Sequence, residues 1–427
     1  MKRIIHLGVG NFFRAHQAWY THAAGGGWRI TGVSLRRPDI RDALRPQGFA
    51  YTLAIRGAGE ARMEEISVID GILVAPEDPE AVIAALADPA VQVVTLTVTE
   101  KGYDLGADGA LRLDAPGIAA DLSAISEGRA PRSTIGLLAA GLARRAAGCG
   151  PITVLCCDNL PENGVRLGAA VRAYANAAGM EIGTYLSDHV AFPSSMVDRI
   201  TPATDDALRA ETAASGLPAA APVATEAFTE WVIEDRFKAA RPPWDKAGAV
   251  FTDDVRPYEL RKLRMLNGAH SCLAYAGVLA GFDFVHQAVG DPALAALAAA
   301  LMEEAAETLP APVRADAPNY ARALMARFAN PAINHRLRQI AMDGSLKLPI
   351  RLLPTRAARA EMGLPSPAID AALTAWLGFL EAEFEAGRAV DDPAADALRA
   401  ALPRHRAEGP AQRAKAILAD TIKDVGR

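Results

Sequence analysis

The stretch RIIHLGVGNFFR, residues 3–14, decides the fold because it predicts a strand, a tight glycine turn and a helix in direct succession. Arg3 to Leu7 is a short apolar run of strand type. Gly8 permits the tight turn, Gly10 lets a ligand approach the backbone, and the helix that follows offers free N–H groups to a pyrophosphate. Phe13 occupies the third position of the usual glycine fingerprint. By itself, the turn therefore fits either a dinucleotide site or an ordinary strand-to-helix connection.

The second strand, predicted from Trp28 to Leu35, ends in the charged residues RRPD at 36–39. NAD-binding domains usually place an acidic residue at this point to hold the ribose hydroxyls. Asp39 could do this, whereas Arg36 could face the 2′-phosphate of NADP. A solvated charged turn is the alternative without a ligand. We favour NAD because Asp39 lies close to the strand end, and NADP stays open.

Two further predicted strands end in polar loops of the kind that bind ligands in α/β proteins. The strand at 91–98 runs into TEKGY (99–103), and the strand at 152–157 runs into DNLPENG (158–164). The second loop could also simply cap the helix predicted at about 165–178. The other elements predicted before residue 255 are strands at 51–55, 65–73 and 228–235, helices at 79–87 and 132–147, an irregular surface segment at 203–225 and a linker at about 238–254.

A helix is predicted from Pro257 to Tyr275, with proline at its start and leucines forming an apolar stripe. Lys262, Asn267 and His270 also lie on it. At about 100° per residue, Asn267 stands about 140° and His270 about 80° from Lys262, so one side can present all three. Such a face is either a site for an alcohol or carbonyl substrate or a solvated polar face.

Helical periodicity dominates from this point to the end of the chain, which predicts a boundary near residue 250 between two domains, 1–250 and 251–427. The helices are predicted at about 258–280, 292–308, 316–328, 332–342, 367–386, 392–402 and 410–423, with a loop at 343–349.

Composition argues against several classes of partner. The 427 residues carry a formal net charge of −5 and a pI near 6.0, which gives no reason to expect nucleic acid or an acidic membrane surface. The four cysteines form no CxxC pair and the histidines no HxxxH spacing, so reduced thiols and no metal are expected. No apolar run is long enough to span a bilayer, and no secretory signal is expected. These features predict a cytoplasmic protein that acts on a small molecule, as a monomer or dimer.

In this order the motifs resemble the mannitol dehydrogenase family of polyol-specific long-chain dehydrogenases, which includes mannitol 2-dehydrogenases and fructuronate reductases. The block with lysine, asparagine and histidine, Lys-x4-Asn-x2-His, is the signature of that family. The matching blocks are GVGNFFRAHQA (8–18), TVTEKGY (97–103), CDNLPENG (157–164), FPSSMVDRITP (192–202), WVIED (231–235), KLRMLNGAHS (262–271) and IAMDGSLKLPIRLL (340–353).

The resemblance implies an α/β fold, with a Rossmann-type N-terminal domain, a mostly α-helical C-terminal domain and a site between them. It also implies nicotinamide-dependent, metal-independent oxidation of a secondary alcohol, with Lys262 as the general base. Asn159 and Asn267 would hold the reacting oxygen, and His270 would orient the substrate. The implied substrate-binding residues are Asp198, Glu100, Lys347, Arg336 and Arg338, the last two with uncertain register. The implied cofactor-binding residues are Gly8, Gly10, Asn11, Phe12, Arg14, Arg36, Asp39 and Thr99.

Several functional alternatives stay open from the sequence. The substrate is either a sugar acid, with the D-mannonate/D-fructuronate pair favoured, or a hexitol or pentitol. A nucleotide-binding sensor without turnover is a hypothesis of another class, against which the intact lysine, asparagines and histidine argue. A zinc-dependent dehydrogenase is a third hypothesis, which the absence of ligand clusters disfavours.

Overall fold

The computed structural model describes residues 2–57, 61–106, 108–405 and 408–425, without the side chains of 100–101 and 422–425. The chain divides into two compact units, Met1–Arg256 and Pro257–Arg427.

A six-stranded parallel sheet forms the centre of the first unit, in the order β5-β2-β1-β6-β7-β8. The order reverses between β1 and β6, and such switch points are where open α/β sheets bind ligands. This order is that of a Rossmann-type fold, as predicted. The strands are β1 (Arg3–Leu7), β2 (Arg29–Ser34), β3 (Tyr51–Arg56), β4 (Ala61–Ile66), β5 (Ile69–Val74), β6 (Val91–Leu96), β7 (Ile152–Cys156), β8 (Val190–Ala191), β9 (Ser195–Asp198), β10 (Val223–Glu226), β11 (Glu230–Glu234) and β12 (Val250–Thr252).

Helices cover the sheet, whose central strands are apolar because both of their faces are buried. Along β1, Ile5 and Leu7 belong to one buried cluster and Ile4 to another, as the two-residue period of a strand requires. The helices of this unit are α1 (Asn11–Ala15), α2 (Gln17–Ala24), α3 (Asp39–Leu44), α4 (Pro79–Ala87), α5 (Pro116–Ser126), α6 (Thr134–Ala146), α7 (Asn163–Ala177), α8 (Gly183–Asp188) and α9 (Asp206–Ala214), and 3₁₀ turns lie at Arg45–Gln47, Glu100–Tyr103 and Trp244–Ala247.

Two small mixed sheets, β10-β3-β4 and β12-β11-β9, correct three predictions made from the sequence. The segment 203–225 is not irregular, because it contains α9 and the start of β10. The segment 65–73 holds the end of β4 and most of β5 rather than one strand. The segment 238–254 is not a free linker, because it contributes β12 and the fully buried Trp244, which packs 4.5 Å from Trp231 between ring centroids.

The second unit is helical, and α11 lies at its centre, packed against α13, α16 and α19. Most side chains of α11 are buried, so it acts as a core helix rather than a surface one. The helices are α10 (Arg256–Arg261), α11 (Gly268–Leu279), α12 (Val285–Gly290), α13 (Pro292–Glu307), α14 (Ala311–Arg314), α15 (Ala317–Phe328), α16 (Leu337–Ala341), α17 (Gly344–Arg351), α18 (Leu353–Glu361), α19 (Pro367–Glu385), α20 (Ala395–Ala401) and α21 (Pro410–Val425).

Two features of this unit differ from the sequence prediction. The predicted loop at 343–349 is the start of α17, which forms despite Pro349 because Asp392 accepts hydrogen bonds from the backbone N–H and hydroxyl of Ser345. Between α10 and α11, residues Lys262–Asn267 form a π-helix, where a continuous α-helix was predicted.

Candidate functional site

The turn after β1 has the backbone that a dinucleotide site requires. Gly8 has a φ of +101°, and a Cβ placed on it would lie 2.1 Å from the carbonyl oxygen of Thr97, across the switch point. Only glycine fits there. Gly10 is exposed, and no atom lies within 4 Å of where its Cβ would be, so its backbone is open to a ligand.

His6 braces this turn, and sequence reasoning missed it. The ring is fully buried and stacks on Phe13 with 3.6 Å between centroids. Its Nε2 lies 3.1 Å from the Gly8 carbonyl, which can only accept, so Nε2 carries the proton. Its Nδ1 then accepts from the hydroxyl of Thr95 at 2.7 Å. Burial lowers the pKa of His6 to about 3, so the brace is neutral. A histidine within an apolar strand next to the glycine turn was the available signal.

Helix α1 carries three of the predicted cofactor residues. Asn11 and Phe12 are half-buried, whereas Arg14 is 2% exposed. Arg14 donates to Asn11 Oδ1 at 2.6 Å and to the carbonyl of Ala221, and burial lowers its pKa to about 10. These contacts are with the protein itself and hold Asn11 in position, and the assignment of Arg14 to the cofactor stays a prediction.

The end of β2 presents both predicted cofactor residues to solvent. Asp39 is exposed and lies 3.2 Å from the guanidinium of Arg37. Arg36 is exposed at the edge of a groove of about 520 Å³, which Arg129 and Arg132 also line. The surroundings therefore offer both an acid and cations, and the choice between NAD and NADP stays a prediction.

The loop after β6 is held in a strained shape by Asp158. Thr99 has a φ of +68° and ψ of +158°, a region that non-glycine residues rarely adopt. The buried carboxylate of Asp158 accepts from the N–H groups of Val98 (2.9 Å) and Thr99 (2.8 Å) and from the Tyr103 hydroxyl (2.5 Å). Asn159 follows directly and is exposed. Glu100 lies in the same loop, but its side chain falls outside the described part of the structure.

Asp198, the remaining predicted residue of this unit, is buried at the end of β9 opposite Glu230 of β11. Its neighbour Arg199 donates to the carbonyls of Ala15 and Glu226 and lies 4.7 Å from the ring centre of Trp19. Arg199 thus ties together the elements around Asp198.

In the second unit, the π-helix brings three predicted catalytic residues onto one face. Its hydrogen bonds join residues five apart, so each residue turns the chain by about 80° instead of 100°. Asn267 therefore stands about 40° from Lys262, and His270 about 20° to the other side. The angles of about 140° and 80° predicted from the sequence are wrong, because they assume the 100° per residue of an α-helix. Lys262 and Asn267 are half-buried and His270 is 8% exposed.

His270 is a neutral imidazole in a cationic environment. Burial, together with His335, Arg327 and Arg351, holds its pKa well below the ordinary value. Its ring lies 4.8 Å from that of Phe328 and 5.2 Å from that of His335. In the part of the chain that the structure describes, its buried Nε2 has no hydrogen-bond partner, which leaves it for a ligand.

The cations predicted for substrate binding differ in their surroundings. Lys347 donates to the carbonyls of Met342 (2.6 Å) and Ile340 (3.3 Å), and burial followed by Arg351 lowers its pKa. Arg351 was not named from the sequence, although it belongs to the last matching block. Two more candidates, Arg336 and Arg338, are exposed.

The described contacts of these two arginines lie elsewhere in the unit. Arg336 lies over the ring of Phe284 at 5.1 Å. Arg338 donates to the buried carboxylate of Glu383 at 2.9 Å, and Glu383 also binds Arg388. Arg338 therefore forms a structural ion pair, and substrate contacts for Arg336 and Arg338 stay predictions.

No group of three or more His, Cys, Asp or Glu residues that could hold a metal ion occurs among the described residues. Within the same ranges, no helix combines the length and apolar character needed to cross a membrane.

The fold and these residues define a two-domain protein with a Rossmann-type dinucleotide-binding unit and a helical unit that carries a lysine-based polar face. The mannitol dehydrogenase Rossmann domain matches residues 2–246, and the mannitol dehydrogenase C-terminal domain matches residues 254–424. The chain therefore belongs to the mannitol dehydrogenase family. The predictions of the family, the fold class and an oxidoreductase are confirmed.

Individual relatives differ in their named substrates. The chain is 39% identical to a mannitol 2-dehydrogenase of Pyrenophora tritici-repentis, over 95% of this chain and 74% of that one. It is 40% identical to a D-mannonate oxidoreductase of Escherichia coli K12, over 91% and 82%. A solved Pseudomonas fluorescens mannitol 2-dehydrogenase, in a ternary complex with NAD and D-mannitol, superposes with a TM-score of 0.80 at 35% identity, covering 100% of this chain and 91% of that one.

Proposed function

We propose that this chain interconverts a secondary alcohol of a sugar acid or sugar alcohol and the matching ketone, with Lys262 as the general base. The observation that carries the proposal is the π-helix, which puts an amine, a carboxamide and a neutral imidazole on one helix face. The named relatives include one that acts on a sugar acid and others that act on mannitol. A hexitol or pentitol dehydrogenase is therefore the alternative within the same chemistry.

The residues of the first unit fit a dinucleotide cofactor. The crowded Gly8 and the open backbone of Gly10 form a cradle that a side chain at either position would narrow. Asn11 and Phe12 stand beside it, and Asp39, the first residue of α3, would accept hydrogen bonds from the ribose hydroxyls. When bound, NAD supplies the acceptor for the hydride of the alcohol carbon.

On the second unit, each side chain has a distinct task. A lysine acts as a base only when neutral, because only the free amine has a lone pair that can take the proton. Lys262 then accepts the hydroxyl proton of the substrate. The carboxamide N–H of Asn267 stabilises the negative charge that develops on that oxygen. His270 offers its free Nε2 to a neighbouring hydroxyl. The role of Asn159 as a second amide donor is part of the proposal.

Replacement of the base tests the mechanism. Lys262→Met should lower kcat by about 10³-fold, the usual contribution of a positioned base, with NAD affinity within about twofold of wild type. Lys246→Met, at an exposed lysine of the first unit, is the matched control and should leave both unchanged. Normal turnover by Lys262→Met would refute the assignment of the base.

A substrate panel tests the reaction itself. Mannitol, arabinitol, sorbitol and D-mannonate, each with NAD and NADP, are followed by the absorbance of the reduced nicotinamide. Turnover of at least one substrate, with NAD preferred, is expected. A wild-type protein that binds NAD but oxidises none of them would support the sensor hypothesis instead.

A further inference from the structure

The guanidinium of Arg351 is attached to the helix that carries the proposed catalytic face. Its Nη1 lies 3.2 Å from the hydroxyl of Ser271 and 3.5 Å from the carbonyl oxygen of Asn267, and it donates to both. Asn267 is the proposed oxyanion donor, and Ser271 directly follows His270. Arg351 therefore contacts one residue of the proposed catalytic face, Asn267, and the immediate neighbour of another, His270.

Arg351 lacks the anion that a half-buried arginine usually has. Its Nε is buried without a hydrogen-bond partner, and no carboxylate forms an ion pair with it among the described residues. A guanidinium has five N–H donors, so the two acceptors on the helix leave most of its hydrogen-bonding capacity unused. A cation that is partly removed from water without a counter-charge is costly, and such a cost is relieved by a bound anion.

Two neighbours of Arg351 add a charge and a polar atom to its surroundings. Lys347, a second cation, stands one turn earlier on α17, and His335 contributes a buried Nδ1 without a partner in the described ranges. The His335 ring lies 5.2 Å from that of His270. Asp343 lies 3.9 Å from Lys347 and forms its ion pair with that lysine, not with Arg351.

We propose that Arg351 binds the carboxylate of a sugar-acid substrate and so selects sugar acids over alditols. The inference rests on the proposed function, because it needs the reacting alcohol to lie at Asn267. A planar guanidinium matches a carboxylate with two parallel hydrogen bonds, whereas the CH₂OH group of an alditol offers no charge. The guanidinium is hydrogen-bonded to the backbone of Asn267, the residue that would hold the reacting oxygen. A carboxylate a few carbons away from that oxygen in the substrate would therefore come within reach of Arg351.

D-mannonate and D-mannitol form a matched pair for the test, because they differ only in one terminal carboxylate. Wild-type kcat/KM should be higher for D-mannonate. Arg351→Met should lower kcat/KM for D-mannonate by about 100-fold, mainly through KM, and that for D-mannitol by less than about threefold. Arg351→Lys keeps the positive charge but not the two parallel N–H donors of the guanidinium, so kcat/KM should fall about tenfold for D-mannonate alone. This variant also tests the inference if Arg351→Met fails to fold.

The outcomes separate this inference from the proposed function. An equal loss on both substrates would make Arg351 a brace for the helix and overturn the inference while leaving the reaction intact. A wild-type preference for D-mannitol over D-mannonate would also overturn the inference and leave the reaction intact. A wild-type protein without turnover of any polyol or sugar acid would instead overturn the proposed function.

Discussion

Replacement of Asp158 by asparagine should loosen the loop that follows β6. The carboxylate accepts three hydrogen bonds, from two backbone N–H groups and the Tyr103 hydroxyl. All three partners are donors, so the residue must act as a pure acceptor. In Asp158→Asn, the amide NH₂ would face one or more of these donors, and a single oxygen would serve the rest.

The size of the effect follows from these bonds. One carboxylate oxygen accepts from both Val98 and Tyr103, so an asparagine oxygen in its place keeps two bonds and loses the one from Thr99. A hydrogen bond to a charged acceptor contributes about 1.5–3 kcal/mol and one to a neutral acceptor about 0.5–1.5 kcal/mol, so one lost bond and two weakened ones should cost about 4 kcal/mol locally. Thr99 adds about 1–3 kcal/mol of backbone strain that the loop releases when it opens. The loop should therefore open in the variant before the unit unfolds, and the cost should appear as weaker NAD binding.

Calorimetric titration with NAD and urea unfolding together test this reasoning. The Kd for NAD should rise about 10–100-fold, and Thr99→Gly should restore part of the affinity because glycine adopts the loop conformation without strain. Glu304→Gln is a matched control, since this buried carboxylate also accepts two backbone N–H bonds but lies in the second unit. Glu304→Gln should lower the free energy of unfolding in urea without changing the affinity for NAD. Unchanged NAD affinity in Asp158→Asn would refute the role given to the carboxylate.

Three other perturbations probe the fold. Gly8→Ala should abolish NAD binding and destabilise the first unit, because the new methyl group would overlap the Thr97 carbonyl; calorimetry checks both effects. Trp244→Ala should lower the free energy of unfolding in urea by about 3–5 kcal/mol, whereas a free linker would tolerate it. Two arginines, Arg388 more than Arg338, hold the pKa of Glu383 at about 2, so its stabilisation is present above the unfolded pKa of 4.5 and is lost as pH falls towards 2. The difference in the free energy of unfolding between wild type and Glu383→Gln should therefore narrow by roughly 1 kcal/mol from pH 7 to pH 4, as urea unfolding at each pH would show; a constant difference would contradict it.

The elements of the first unit that the sequence predicted are those with strong local patterns. The strand Arg3–Leu7 and the helix Pro79–Ala87 agree with the structure because apolar periodicity and a proline define them locally. The segment around Trp244 was misread, because its proline-rich composition resembles a linker and its burial depends on the distant Trp231. Composition reports local preference, whereas such packing depends on partners far away in the chain.

The candidate site divides in the same way. Lys262, Asn267 and His270 were identified by motif, but their angular arrangement was wrong because nothing in the pattern distinguishes a π-helix from an α-helix. Arg351 was missed because its environment comes from a different helix. The roles of all four residues stay predictions until variants are measured.

The π-helix also determines how the lysine, asparagine and histidine would have to be spaced on a designed helical scaffold. On a straight α-helix, the spacing Lys-x4-Asn would turn the amide about 140° away from the amine. Shortening the spacer by one residue, to Lys-x3-Asn-x2-His, would bring the three groups back to within about 60° of each other. A designed scaffold built from ideal helices should therefore copy the geometry and not the letters of the motif.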